Sequence, residues 1–144
     1  MARYVTTVRT AKAPEDVFAY MADLENFAEW DPGVSSATQV AGDGPGLGAA
    51  YQVKASGADL RYETLQYDEP DRVVVEAKTT FFRSYDIIEI AANDDGGCDV
   101  TYDATLELNG LLSIADLGLR LFFDRIGDKA AAGLVKVLDG TKIR

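Results

Sequence analysis

The sequence predicts an α+β fold in which a curved antiparallel sheet of seven strands wraps around one long C-terminal helix, with two short helices after the first strand. Three patterns predict it. First, apolar residues at 14–30 recur at helical spacing. Second, segments within 34–108 alternate between polar and apolar residues and are separated by turn residues. Third, residues 111–140 have the pattern of one long helix. Because the long helix carries an apolar face, the sheet must cover it. A chain of 144 residues suits a single domain, 1–144.

The first strand is predicted at 3–10, where polar and apolar residues alternate weakly. Pro14 fits the first turn of the helix that follows, because its missing N–H has no partner there in any case. Asp23 is predicted to cap a second short helix, which carries Phe27 and Trp30.

Six further strands follow, each bounded by residue types that turns require. Short strands at this spacing favour an antiparallel meander. The predicted strands are 34–40, 47–55, 59–67, 72–80, 82–91 and 98–108.

The second half of the long helix sorts into two faces at about 100° per residue. The apolar face is predicted to carry Phe123, Ile126, Ala130, Gly133, Leu134 and Val137. Ala130 and Gly133 are small. They either leave unfilled space against the sheet or allow close packing of the helix.

A second apolar group occupies nearly the opposite side of the helix at its beginning, at Ile114, Leu117 and Leu121. Such a lip controls access to a cavity, docks a partner or forms a homodimer, or else the loop after residue 108 covers it. The sequence leaves these alternatives open.

Composition excludes several function classes. The chain has no histidine, so Ser-His-Asp and Cys-His catalysis are excluded, and we expect no metal and no cofactor. A net charge of −10 repels nucleic acid.

No apolar run reaches the roughly 18 residues of a membrane span, so we expect no membrane insertion. The single cysteine, Cys98, and the absence of a signal-peptide pattern fit a cytoplasmic protein.

The predicted strand 82–91 carries a carboxyl group, Asp86, near its middle. One face of this strand holds Phe82, Ser84, Asp86, Ile88 and Ile90. The opposite face would bury two charged residues, Arg83 and Glu89. Because burying an unpaired charge is costly, we expect the face with fewer charges, and therefore Asp86, to point inward.

An inward Asp86 needs a partner or a proton, since desolvation raises the pKa of a carboxyl group. The nearest polar candidates on neighbouring strands are Tyr102, Tyr62, Tyr51 and Thr64. Asp86 then holds the wall together, anchors a ligand, or moves protons. For the last role, Asp86 and Tyr102 are the catalytic candidates.

The facing of the other strands follows from their alternation. The predicted inward residues are Val100, Tyr102, Ala104, Leu106 and Leu108 in one strand, Tyr51, Val53 and Ala55 in another, and Val73, Val75, Ala77 and Thr79 in a third. Strand 59–67 is ambiguous. We favour Leu60 and Tyr62 inward, because the alternative buries Arg61 and Glu63. An inward Arg61 would instead anchor an acidic ligand group.

The order of elements resembles the START-like, helix-grip superfamily, also called SRPBCC, and in particular its polyketide cyclase/dehydrase and lipid-transport branch. The resemblance covers nearly the whole chain. The segments that carry it are APEDVFAYMADLENFAEWDPGV (13–34), YDEPDRVVVEA (67–77), FFRSYDIIEIAANDDGGCDVTYDATLELNGLL (81–112) and FDRIGDKAAAGLVKVL (123–138). It implies a deep, mainly apolar cavity for lipids, sterols, quinones, polyketides or hormones. Some members are cyclases or dehydratases and many only bind. The histidines that some members use are absent, so no catalytic residue is carried over.

The leading hypothesis is a binding or carrier protein for a hydrophobic small molecule. The alternatives are a cyclase or dehydratase using Asp86 and a tyrosine, and a protein-interaction module with a vestigial cavity. Trp30 either anchors the second short helix to the sheet or lies at the cavity mouth. The candidate ligand-binding residues are Trp30, Tyr51, Val53, Tyr62, Val75, Phe82, Asp86, Ile88, Tyr102, Ala104, Phe123, Ile126, Ala130 and Leu134.

Overall fold

The structure is a computed structural model that describes residues 1–109 and 116–144. Its body is one antiparallel sheet of eight strands, which are β1 (Ala2–Thr10), β2 (Val34–Ala41), β3 (Ala50–Ala55), β4 (Ala58–Asp68), β5 (Arg72–Lys78), β6 (Phe82–Ala92), β7 (Cys98–Leu108) and β8 (Thr141–Lys142). Their order across the sheet is β2-β3-β4-β5-β6-β7-β1-β8. Consecutive strands from β2 to β7 are neighbours, and β1 returns beside β7. The predicted α+β fold is confirmed.

The eighth strand is the difference from the predicted seven. It is only two residues long, so alternation gives no signal for it, and it pairs with Val8 and Arg9 of β1. The long helix α3 is described over Asp116–Leu138 and ends two residues earlier than predicted. Asp139 ends it with a left-handed φ of 49°. The predicted helix start at 111 lies outside the described residues.

Two short helices follow β1, as predicted. They are α1 (Pro14–Ala22) and α2 (Phe27–Trp30), joined by a 3₁₀ turn at Leu24–Asn26. The proline opens α1. The Asp23 side chain accepts a hydrogen bond from the Glu25 backbone N–H at 3.0 Å, so it caps the 3₁₀ turn and not the helix that carries Phe27 and Trp30, whose N-cap residue is Asn26.

The two faces of the sheet differ as the alternation predicts. In β7, Tyr102 and Ala104 are buried, whereas Asp103 on the other face pairs with Arg3 of β1 at 2.7 Å. A register shift between Thr64 and Gln66 marks a β-bulge in β4. Because a bulge bends its strand, it helps the sheet to curve over the inner face, where α3 packs.

Two glycines of α3 mark its closest approaches to other elements. A Cβ at Gly133 would overlap the backbone carbonyl of Trp30, and one at Gly127 would overlap the ring of Tyr4. Gly133 therefore allows α3 to pack directly on α2. The idea that Gly133 leaves an unfilled space is wrong, because the backbone of Trp30 occupies that space.

Candidate functional site: a cavity between the sheet and α3

A cavity of about 230 Å³ lies between the inner face of the sheet and α3. Most of its wall is apolar. The helix contributes Leu119, Phe122, Phe123, Ile126, Gly127 and Ala130, and the sheet contributes Leu60, Phe82, Ala104 and Leu106 among others. Phe122 is 57% exposed, so the wall reaches solvent near the beginning of α3.

Asp86 of β6 belongs to this wall, and its side chain is buried. Residues Asp86 and Ala104 are directly opposite in the β6–β7 pair, which makes Tyr102 a diagonal neighbour on the same face. The Tyr102 hydroxyl donates a hydrogen bond to Asp86 Oδ2 at 3.3 Å. Of the four partners proposed for Asp86, Tyr102 is the one that the structure supplies.

Burial raises the pKa of Asp86 to about 7. The hydrogen bond from Tyr102 opposes this shift, while the charges of Asp31 and Asp103 add to it. Burial also raises the pKa of Tyr102 well above its usual value. Near neutral pH the wall therefore holds a carboxyl group that exists in both protonation states, beside a phenol that keeps its proton.

A second polar pair joins β4 to β6 across the intervening strand. Tyr62, Ala77 and Ser84 form one row across the sheet. The small side chain of Ala77 leaves room for the Tyr62 phenol to reach Ser84, and the two hydroxyl oxygens are 2.8 Å apart. In such a pair one hydroxyl donates its proton to the oxygen of the other. The accepting hydroxyl can then donate its own proton to a further acceptor.

Asp31, between α2 and β2, is a second carboxyl group in the wall that the sequence analysis missed. It is 7% exposed, and its Oδ1 accepts a hydrogen bond from the Gly33 N–H at 2.8 Å. Burial raises its pKa, and the hydrogen bond from Gly33 opposes that shift. Asp-Pro-Gly is a turn signal whichever way the aspartate points, so the burial of Asp31 could not be predicted from this pattern.

Family comparison agrees with this architecture. The sequence profile of the family described as polyketide cyclase / dehydrase and lipid transport matches residues 1–139. The chain belongs to this family. Comparison with curated proteins gives no match.

Solved structures show the same START-like fold as this family member. A START superfamily protein from Mycobacterium smegmatis is 14% identical, with a TM-score of 0.75, covering 96% of this chain and 98% of its own. The protein XoxI from Bacillus cereus is 14% identical, with a TM-score of 0.69 and 96% of each chain covered. A hypothetical protein from Helicobacter pylori is 9% identical, with a TM-score of 0.75 over 95% of this chain and 86% of its own. At such identities the likeness concerns the fold alone.

Eight of the predicted ligand-binding residues lie in the cavity wall of this polyketide cyclase/dehydrase family member. They are Tyr62, Phe82, Asp86, Tyr102, Ala104, Phe123, Ile126 and Ala130. Tyr62 and Leu60 point inward as favoured, and the Arg61 side chain is 54% exposed on the outer face. Arg61 therefore does not face the cavity.

The other six predicted residues pack in the core outside the cavity wall. They are Trp30, Tyr51, Val53, Val75, Ile88 and Leu134. Alternation identifies the inner face of a strand but not the position along it at which the core stops being filled. Tyr51 is the clearest case. Burial raises the pKa of its phenol to about 12, and the nearby charges of Asp23 and Glu25, at the α1–α2 connection, add to this shift.

Trp30 connects the short helices to the sheet. It is buried, stacks on Phe27 with ring centroids 4.8 Å apart, and meets the Tyr102 ring edge-on at 5.2 Å. Of its two proposed roles, these contacts correspond to the anchor. Phe27, not Trp30, forms part of the cavity wall.

The predicted apolar lip is described only in part. Leu121 is 65% exposed, Ile114 lies outside the described residues, and Leu117 falls in the first turn of α3. A homodimer through this lip stays a prediction, and so does the cytoplasmic location. Within 1–109 and 116–144, no helix is long and apolar enough to span a bilayer, and no three potential ligand side chains come together to hold a metal.

Proposed function

We propose that the protein binds a small lipophilic molecule in the cavity between the sheet and α3. The observation that carries the proposal is the cavity itself, which combines a mostly apolar wall with a few polar groups from Asp31, Asp86, Tyr62 and Ser84. Small-molecule sites have this composition, because the apolar wall supplies affinity and the polar groups fix orientation. The lipid-transport part of the family description supports the same role.

The ligand is small. A volume of about 230 Å³ is below the roughly 300–1,000 Å³ of common ligand pockets. The proposed contacts are Phe82, Phe123 and Ile126 for the apolar part of the ligand, with Asp86 and Tyr102 for its polar end. The exposed side of the wall at Phe122 is the proposed way in.

Native mass spectrometry of the protein from its own organism tests this proposal, with a matched pair of variants on α3. Ala130→Leu places a larger side chain in the cavity, whereas Ala132→Leu adds the same atoms at an exposed position. We expect a co-purified small molecule with the wild type and with Ala132→Leu, and none with Ala130→Leu. Equal retention by folded Ala130→Leu would place the ligand elsewhere, and circular dichroism checks that both variants fold.

We propose cyclase or dehydratase chemistry as the second candidate function, and it depends on the Asp86–Tyr102 pair. A carboxyl group with a pKa of about 7 both donates and accepts protons near neutral pH, as general acid–base catalysis requires. If the bound molecule is converted, Asp86→Asn will abolish turnover while the molecule still binds. If the wild type returns every bound molecule unchanged, this candidate fails and the binding role stands.

A further inference from the structure

We infer that the cavity selects lipophilic amines, in their protonated form, over lipophilic acids. The inference rests on the proposed function, since it concerns the chemistry of the molecule in that cavity. Two buried carboxyl groups, several aromatic rings and the lack of any basic side chain in the described part of the wall support it.

The carboxyl groups are incompletely paired. Asp86 is 3% exposed, and its Oδ2 accepts from Tyr102, while Oδ1 accepts no hydrogen bond from the described residues. In Asp31, Oδ1 accepts a hydrogen bond from the Gly33 N–H, while Oδ2 accepts none from the described residues. The ion pairs of the described residues all involve other carboxylates, so neither group has a basic partner there.

A cation from outside would complete this arrangement. Buried carboxylates are stable only when they are paired or protonated, and an ammonium group supplies both a charge and up to three donors. A ligand carboxylate would bring a third acid into a space where Asp31 already raises the pKa of Asp86. Like charges in one buried site oppose ionisation, so such a ligand would bind only as the neutral acid.

The aromatic part of the wall favours the same ligand. Phe27, Tyr62, Tyr102 and Phe123 all line the cavity. Their ring faces carry partial negative charge and attract cations, most strongly where water is excluded. The net charge of −10 adds a long-range field that draws cations towards the protein.

The preference depends on pH, because an ammonium ion pairs with the charged form of Asp86. The titratable groups that face Asp86 are Asp31 before β2, Tyr62 of β4, and Tyr102 of β7, with Asp103 on the outer face of β7. Tyr4 of β1 also lines the cavity, and the described wall residues of α3 are uncharged. As pH rises through the pKa of Asp86, amine affinity therefore rises, while that of a neutral ligand stays flat.

Isothermal titration calorimetry with octylamine, octan-1-ol and octanoate tests the inference, because the three probes share one alkyl chain. We expect octylamine to bind about tenfold to hundredfold more tightly than octanoate at about pH 8, with octan-1-ol between them, as expected for a charge-assisted hydrogen bond. Asp86→Asn should remove most of the advantage of the amine. Asp94→Asn, which removes an equal charge from an exposed turn, should keep it.

The outcomes separate the two proposals. Binding of octanoate or octan-1-ol as tightly as octylamine overturns the amine preference and leaves the cavity as a lipophile site. Binding of none of the three rejects the site and the preference together. If Asp86→Asn does not fold, Asp31→Asn provides the same test, and an unchanged amine advantage in either folded variant contradicts the inference.

Discussion

At the scale of single residues, Asp86 makes the stability of the protein depend on pH. The pKa of Asp86 is about 7 in the folded protein, compared with 3.8 for an ordinary aspartate, which represents the unfolded chain. The folded state therefore holds this proton more tightly than the unfolded state. Stability is unaffected below both values, falls as pH rises between them, and is constant above about 7.

Asp86→Asn removes this pH dependence. From about pH 5 to about pH 8, we expect the wild type to lose on the order of 3 kcal/mol of unfolding free energy relative to the variant, because Asn carries no ionisable proton. Urea denaturation at both pH values measures it. The control variant Asp94→Asn should follow the wild type, and parallel curves for Asp86→Asn would contradict the buried, proton-retaining carboxyl group.

Tyr102→Phe tests the hydrogen bond that stabilises the charged form of Asp86. The phenol lowers the pKa of Asp86, so its removal should raise that pKa further above about 7. A carbon-detected NMR titration of the aspartate carboxyl groups measures the shift. Tyr20→Phe is a suitable control, since the Tyr20 hydroxyl donates a hydrogen bond to Glu29 and neither residue belongs to the cavity wall. An unchanged titration in Tyr102→Phe would mean that the bond does not form in solution.

At the scale of elements, the sequence predicts which way strands face better than what fills the space between layers. The rule that fewer charges point inward placed Asp86 and Tyr62 correctly, because burial of an unpaired charge dominates that choice. The same rule could not find Asp31, whose turn is compatible with either direction. It also could not find the packing of Gly133 on Trp30, because contact between α2 and α3 joins residues that are far apart in the chain.

Gly133 gives the sharpest prediction for the packing of α3. Gly133→Ala should destabilise the fold by about 3 kcal/mol, because its Cβ would meet the backbone of Trp30, which cannot rotate away. Gly118→Ala in the same helix meets no atom within 4 Å and should stabilise it by roughly 0.5–1 kcal/mol. Chemical denaturation of the two variants measures the contrast. A harmless Gly133→Ala would show that α2 and α3 are further apart than described.

At the scale of the whole molecule, the fold and the site are determined by different features of the sequence. Strand alternation, turn residues and one amphipathic helix are enough to predict a sheet that packs on a helix. Whether that packing leaves a cavity depends on the volumes of side chains from β1, β4, β6, β7 and α3 together. The small side chains of Ala104 and Ala130 leave space between the sheet and α3. Further along α3, the larger side chain of Leu134 is buried in the core, outside the cavity wall.

The net charge leads to a prediction for the molecule as a whole. With 24 acidic and 14 basic residues, the chain repels itself more strongly when compact than when unfolded. Sodium chloride screens this repulsion over a Debye length of about 8 Å at physiological ionic strength, so the melting temperature should rise between low and physiological salt. The exposed ion pairs, such as Arg9–Asp99 at 2.9 Å, weaken under the same conditions, but each contributes little. Differential scanning calorimetry measures the balance, with sorbitol at equal osmolality as the uncharged control. A melting temperature that falls with salt would mean that the cross-strand pairs outweigh the general repulsion.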